Sequence, residues 1–280
     1  MVWKIVSDSG CDLKELKTQS SNILFERVPL KLRIDNEEFI DTQDLDVDHM
    51  MAKLYQSAEA ATSSCPSPDA YIQAYQGAEN IIAITITGTL SGSHNSARLA
   101  KDLLLEENPN LNIHVIDSLS AGGEMDLIVL ELERLINQGL AFTEVVKKIT
   151  EYQKRTGLLF VLVKVDNLVK NGRLSKLLGK VIGLINLRMV GRASAQGELE
   201  LLHKARGQKK AVLAVLEELE KAGYKGGKIL IAHRKNLKIC QLITDKVQEK
   251  FPAAKVIVQP TSGLCSFYSE DEGILLGYEI

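Results

Sequence analysis

Short β-branched runs alternate with amphipathic segments through the first half of this 280-residue chain. "VWKIVSDS" near the start reads as a strand ending in a polar Asp-Ser turn, and "NIIAITITG" and "NIHVIDS" read as buried strands. Between and after them, "DVDHMMAKLYQSA", "SARLAKDLLLEE", "GEMDLIVLELERLINQG" and "TEVVKKITEYQKRT" have helical periodicity. Strands that alternate with helices in this way predict a parallel sheet with helices on both faces. On the "SARLAKDLLLEE" helix the spacing puts Leu99, Ala100 and Leu103 on one face.

Other signals are local. "CDLKEL" predicts a short helix capped by Asp12. "ERVPLKLRIDNEEFID" predicts extended chain around an Asp35-Asn36 turn. "ATSSCPSPDAYIQAYQG" predicts a polar loop and then a helix, with Ser67 or its neighbour as cap and Pro68 in the first turn. In the second half, "GLLFVLV" reads as a buried strand and "DNLVKNGRLSKLLGKVIGLINL" as a helix-rich stretch. "RMVGRASAQGELELLHKAR" predicts a hairpin, "KKAVLAVLEELEKAG" a helix, and "GKILIAHR" to "AKVIVQP" a strand-helix-strand unit. The change of character between Tyr152 and Thr156 suggests an N-terminal α/β domain over 1–155 and a C-terminal α/β domain over 156–280.

Composition narrows the function classes. Apolar residues make up 45% and charged residues 25%, as in a globular protein, and the formal net charge of -2 gives a polyanion such as nucleic acid no general attraction. The longest apolar run is far short of the roughly 20 residues that span a bilayer, and no signal peptide is visible, so a cytoplasmic protein is expected. The four cysteines and five histidines are scattered without metal-ligand spacing, so no metal or cofactor is expected, and reduced thiols fit the same compartment.

The informative feature is a surplus of small hydroxyl residues where strands hand over to helices: "DSG" (Asp8 to Gly10), "TGTLSGS" (Thr87 to Ser93), "DSLSAGG" (Asp117 to Gly123) and "TSSCPS" (Thr62 to Ser67). Ligands of open α/β sheets sit beyond the carboxyl ends of the strands. Helix-start N–H groups with neutral hydroxyl donors suit a single carboxylate or phosphate. For any single one of these turns, capping and turn-shaping alone are the commoner explanation. No P-loop, GxGxxG or GxSxG pattern is present, and Ser91 and His94 are too close along a helix start to align readily as nucleophile and base. Arg173 in "KNGRLSK" and Arg206 in "HKARGQKK" could bind an anion or simply cap a helix end.

Taken in order, the motifs resemble those of the DegV family, whose characterised members are bacterial fatty-acid-binding proteins. "KIVSDSGCDL" is similar to the family's opening, "TSSCPSP" to its Thr-Ser-Gln-Pro-Ser loop, and "LSGSHNSA" to its Leu-Ser-Gly-Thr-Tyr-Gln-Ser-Ala helix start. "VIDS", "NLVKNGRLS" and "KARGQKKAV" follow in family order across nearly the whole chain. The resemblance implies a two-domain α/β fold with a fatty acid between the domains: the tail in an apolar tunnel, the carboxyl group near the surface. Its carboxylate contacts would fall on Ser63, with Thr62 and Ser64 beside it, and on Ser91 and Gly92. Arg173 and Arg206 would lie near the head group or a docking surface.

Near the end, "QPTSGLCSF" departs from the family's His-x-Gly-Pro-Gly and places Thr261 in the histidine position, which makes the chain a divergent member. The implied function is a carrier, not itself an enzyme, that binds a long-chain fatty acid and presents its carboxylate to a separate fatty-acid kinase. Two other readings stay open: a binder of another anionic amphiphile, and a hydrolase dependent on Ser91.

Overall fold

The computed structural model describes residues 2–16, 22–174 and 186–280. The first sheet has four strands, β1 (Trp3–Asp8), β2 (Ile23–Val28), β6 (Asn80–Thr85) and β7 (Asn112–Asp117), in the order β2-β1-β6-β7. All three of its pairings are parallel. β1 and β6 are buried along their whole length, which explains the apolar run Ile81–Ile84 of β6, while β1 buries Lys4, Ser7 and Asp8 beside its apolar residues. The two-residue period of a strand sorts their side chains between two cores. Ile5, Ile82 and Ile84 pack with α4 (Gly123–Asn137) and α5 (Phe142–Gln153). Val6, Ile81 and Ala83 pack with α2 (Pro68–Tyr75) and α3 (Ser93–Glu107).

A small antiparallel sheet, in the order β4-β3-β5, is built from β3 (Lys31–Ile34), β4 (Glu37–Ile40) and β5 (Thr62–Ser64). Its core joins Leu32, Ile34 and Phe39 to Met50 and Met51 of α1 (Val47–Gln56).

The second sheet has six strands, β8 (Thr156–Leu162), β9 (Leu187–Ala193), β10 (Leu199–Arg206), β11 (Lys228–His233), β12 (Lys255–Pro260) and β13 (Ile274–Glu279), in the order β10-β9-β8-β13-β11-β12. Only its β11–β12 pair is parallel. One face carries α7 (Gln208–Lys221) and α8 (Leu237–Lys250). Part of the other face rests on α4, which therefore touches both large sheets and is buried nearly all round. Glycine makes that approach possible. A Cβ at Gly123 would lie 2.4 Å from the Leu230 carbonyl, and one at Gly277 would lie 2.3 Å from the Gly123 backbone.

Among the described residues the remaining helices are α6 (Asp166–Lys170) and α9 (Gly263–Ser269). α9 crosses back to the small sheet, where Leu264 and Phe267 complete the core of β3 and α1. Its start is held by two aspartates from the first half: Asp12 accepts from Ser262 N at 2.6 Å, and Asp41 accepts from Gly263 N and Leu264 N at 2.8 and 2.7 Å.

The Ser67 cap and Pro68 at the start of α2, the 187–206 hairpin and the β11-α8-β12 unit match the sequence reading. Three local expectations need correction. Residues 11–16 form no helix, because Asp12 reaches across to Ser262 rather than capping its own segment. Thr62–Ser64 pair with β3 as a short strand instead of a loop. On α3 the buried face is Ser93, Ser96, Ala97 and Ala100, while Leu99 and Leu103 are 44% and 41% exposed. The small residues are needed there because α2 packs closely with Tyr71 and Tyr75. Of the helix-rich stretch expected after Asp166, α6 is seen and 175–185 lie outside the described residues. Among the described residues no helix is long and apolar enough to cross a membrane.

Candidate functional site

The hydroxyl-rich turns divide into structural and cavity-facing groups. Thr87 and Thr89 donate to the carbonyls of Gly197 and Gln196 at 3.0 and 2.6 Å, so they anchor the tip of the β9–β10 hairpin. Gly197 sits at φ +77°, and a Cβ there would collide with Thr87 Oγ1, so the joint requires glycine. Ser93 is fully buried. Its hydroxyl donates to Asp8 Oδ2 at 2.5 Å and lies 2.7 Å from the Tyr71 hydroxyl. Asp8 also accepts from Gly10 N and Ile86 N. Burial lifts its pKa from 3.8 to about 6 against the pull of those donors. Asp8 and Ser93 thereby fix the turn that leads into α3.

What this scaffold presents outward is Ser91 and Gly92. They border a cavity of about 280 Å³ whose walls come from both halves of the chain. Leu30, Ile86, Leu90 and Ala121 contribute from the first half, and Leu158, Phe160, Leu162, Leu168, Leu199, Leu264 and Leu275 from the second. Ser63, Ser64, Cys65, Ser91, Arg173, Cys265, Tyr268 and Ser269 supply the polar and sulfur atoms. The strand register explains the apolar wall. Alternate residues Leu158, Phe160 and Leu162 of β8 face the cavity, while Leu159 and Val161 face the core under α7 and α8. Phe160 lies opposite Gly191 on β9, and a Cβ there would fall 2.3 Å from its Cζ. The missing side chain makes room for the ring.

The motif after β8 holds three walls together. Asn167 Nδ2 donates to the Phe267 carbonyl at the end of α9, and Asn171 Nδ2 donates to the Ala61 carbonyl ahead of β5, each at 3.0 Å. Arg173 Nε donates to the Leu90 carbonyl at 3.2 Å and Nη1 to that of Asn171 at 2.6 Å. Arg173 thus ties α6 to the turn bearing Ser91. Across the same opening, Ser63 Oγ lies 2.6 Å from the Tyr268 hydroxyl. Burial raises the Tyr268 pKa, so the phenol stays neutral and able to donate.

The structure therefore gathers Ser63, Ser64, Ser91, Gly92 and Arg173 at one cavity and leaves three expected residues outside its lining. Thr62 is exposed, next to Ser63 on a strand whose side chains alternate. Arg206 is exposed at the end of β10. Thr261 is buried, 2.7 Å from Ser266 Oγ and donating to the His233 carbonyl, so its hydroxyl is used within the protein. Ser269 is in the lining instead: it is 2% exposed, and its Oγ is buried without a hydrogen-bond partner among the described residues. Sequence reasoning missed Ser269 and Tyr268, because "SFYS" carries no turn or periodicity signal that sets it apart from packing.

The chemistry of this arrangement is that of a binding site. Hydroxyl-bearing residues, two cysteines and one arginine interrupt an otherwise apolar lining. Ser91 Oγ accepts from Ser93 N at 3.2 Å, and His94 Nδ1 is directed to Thr85 Oγ1 at 3.4 Å, which is not the geometry of a serine activated by a histidine. One cluster of metal-ligand type occurs among the described residues, His203 with Glu217 and Glu218, away from the cavity. Lys221 occupies both glutamates there.

A family model described as "Uncharacterised protein, DegV family" matches residues 2–277. A DegV domain-containing protein of Streptococcus pyogenes serotype M3 is 68% identical over 280 residues, covering 100% of both chains. Among solved structures, the Fatty Acid Kinase (Fak) B3 protein of Streptococcus pneumoniae, loaded with linoleic acid, superposes with a TM-score of 0.98 at 59% identity over 100% of both chains. A DegV family protein of Eubacterium eligens loaded with heptadecanoic acid gives a TM-score of 0.95 at 36% identity over 99% of both. With a family match over nearly its full length and relatives well above 30% identity, the chain belongs to the DegV family.

Proposed function

We propose that this protein is a fatty-acid carrier that holds a long-chain acyl group in the apolar cavity and presents the carboxylate to a separate fatty-acid kinase. The observation that carries the reading is the cavity itself: apolar walls drawn from both halves of the chain, with the serines Ser63, Ser64 and Ser91 in its lining. Burying each CH₂ contributes about 0.8 kcal/mol, so roughly 14 buried carbons supply on the order of 10 kcal/mol before ordering costs. A hydrogen bond to a charged group contributes about 1.5–3 kcal/mol. The tail sets affinity, and the rim sets orientation.

On this reading Ser63 and Ser91 hydrogen-bond the carboxylate, Ser269 takes the part that the family pattern gives to Thr261, and Arg173 supports the anion. Arg206, exposed and outside the cavity, belongs to the surface that meets the kinase. The lipid lies between an N-terminal domain of residues 1–155 and a C-terminal domain of 156–280, although α9 spans the two. The chain works in the cytoplasm, where its four free thiols stay reduced. The protein supplies the bound substrate, and the partner supplies nucleotide and phosphoryl transfer.

The test is a competition assay on delipidated protein with a fluorescent fatty acid. Saturable displacement by unlabelled long-chain fatty acid supports the carrier reading. Failure of every fatty acid to bind, or turnover of a generic ester that Ser91→Ala abolishes, contradicts it.

A further inference from the structure

Arg27 on β2 carries a charge into the interior. Its side chain is 3% exposed, and its Nε, Nη1 and Nη2 have no hydrogen-bond partner among the described residues. Its one ion pair among those residues is with Asp41, Nη2 to Oδ2 at 4.0 Å. A guanidinium stays charged at any ordinary pH, and burying it is costly unless negative charge lies close. Asp41 is fully buried, and both its oxygens are used at the start of α9: Oδ1 accepts from Gly263 N and Oδ2 from Leu264 N. A Cβ at Gly263 would lie 2.7 Å from Asp41 Oδ1, so the carboxylate sits close against the chain it holds. Leu264, Cys265 and Tyr268 of that helix line the cavity. Burial pushes the Asp41 carboxyl above its usual 3.8, and the Arg27 charge is the strongest influence pulling it back, ahead of the two amides.

We propose that Arg27 is a positioning residue for the lipid site: through its charge, without touching the ligand, it keeps Asp41 able to hold α9 and so sets where Leu264, Cys265 and Tyr268 stand in the cavity wall. The effect on lipid rests on the carrier reading above; the hold on α9 does not. Other groups share this interior space. Asp8 of β1, Asp12 after it and Asp126 of α4 are shifted upward by burial, like Asp41, and drawn back by Arg27. Asp12 accepts from Ser262 N and Asp126 from Gln259 Nε2, so they grip the same returning segment. Burial pushes the Cys11 and Cys265 thiols up, which keeps them neutral. Without Arg27, carboxylates ionised at neutral pH would lack their counter-charge, and α9 would be held less well. As pH falls and they take up protons, the guanidinium matters less. The loss on removing Arg27 is therefore largest near about pH 8 and narrows toward about pH 5, whereas lost packing would cost the same at every pH.

The experiment compares the full, delipidated chain with Arg27→Met, Arg27→Lys and Asp41→Asn, each checked for folding by circular dichroism. Hydrogen exchange of the Gly263 and Leu264 amides, read against the parent at equal pH, reports the hold on α9. A fluorescent fatty acid reports affinity over the same range; its own carboxyl titrates alike for every variant, so differences between proteins carry the result. Arg27→Met is expected to exchange both amides faster and to bind about tenfold more weakly at about pH 8, with both differences narrowing toward about pH 5. Arg27 makes no hydrogen bond among the described residues, so Arg27→Lys, which keeps the charge, recovers most of both. Should Arg27→Met fail to fold, Asp41→Asn, neutral at every pH, carries the same test through the same narrowing. Parental exchange at Gly263 and Leu264, unchanged affinity, a loss of equal size at every pH, or Arg27→Lys as impaired as Arg27→Met overturns the proposal. Fatty acid that fails to bind the parent at any pH overturns the carrier reading, while the exchange data still decide whether Arg27 holds α9.

Discussion

Ser63 Oγ and the Tyr268 hydroxyl meet at 2.6 Å across 205 positions of sequence, joining the small sheet to α9 at the edge of the cavity. The contact makes the rim a shared product of both ends of the chain. A double-mutant cycle of Ser63→Ala and Tyr268→Phe, followed by urea denaturation, is expected to give a coupling of about 0.5–1.5 kcal/mol, the net value of one such bond. A coupling of zero would mean that the two hydroxyls bond to water rather than to each other.

Ser91→Ala removes a cavity-facing hydroxyl that also accepts from Ser93 N. Fatty-acid affinity is expected to fall by about 1–2 kcal/mol while the fold is retained. Fluorescent fatty-acid competition measures the loss, and circular dichroism the fold. Unchanged affinity would reduce Ser91 to a turn residue.

Ser269 and Thr261 are expected to separate binding from stability. Ser269 Oγ is buried without a partner, so Ser269→Ala leaves the lipid-free protein as stable as before, or slightly more so, and weakens fatty-acid binding. Thr261 Oγ1 is engaged by Ser266 and the His233 carbonyl, so Thr261→Val lowers stability by about 1–3 kcal/mol and leaves affinity unchanged. Thermal melts and the same competition assay on both variants check the pair. The opposite pattern would return the ligand contact to Thr261.

Glu124 gives the fold a pH dependence. It sits in the first turn of α4, 5% exposed, accepting from Thr156 Oγ1 at 2.8 Å, and burial raises its pKa from 4.5 to about 7. The folded state therefore holds this proton more tightly than the unfolded chain does. The stability it contributes is full below about pH 4.5 and is lost as pH rises through about 7, by on the order of 3 kcal/mol. Asp8 acts in the same direction, with its loss complete near pH 6. Glu124→Gln can still accept from Thr156 and is expected to flatten the decline between pH 4.5 and 7. Urea denaturation at several pH values measures it, and parallel slopes for the two proteins would contradict the assignment.

Much of this architecture is legible residue by residue. β6 carries a continuous apolar run, Ile81–Ile84, because both faces of its sheet are covered, and Ser67-Pro68 starts α2 because a cap and a fixed φ suit a first turn. The misreadings have one physical source, long-range partners. Asp12 has the look of a cap, yet its carboxylate holds Ser262, 250 positions away. Leu99 and Leu103 have the look of a core stripe, yet α2 packs closely enough that only Ser93, Ser96, Ala97 and Ala100 fit beneath it. Nothing near the C-terminus marks β13 as a central strand of the second sheet, since its neighbours β8 and β11 are far away in sequence.

The candidate site was legible in part for the same reason. Its hydroxyl-rich turns stand out, but the sequence does not separate Thr87 and Thr89, which dock the β9–β10 hairpin, from Ser91, which faces the cavity. Arg173 is visible only as a motif residue until its bond to the Leu90 carbonyl places it beside the rim. Ser269 carries no local signal at all, because its role depends on α9 crossing back to the first half of the chain.

The most direct test is to extract the freshly purified protein with organic solvent and identify what it carries by mass spectrometry. A long-chain fatty acid at one equivalent per chain is the predicted result. A phospholipid, a soluble sugar phosphate, or an empty protein that takes up no added fatty acid would contradict the account.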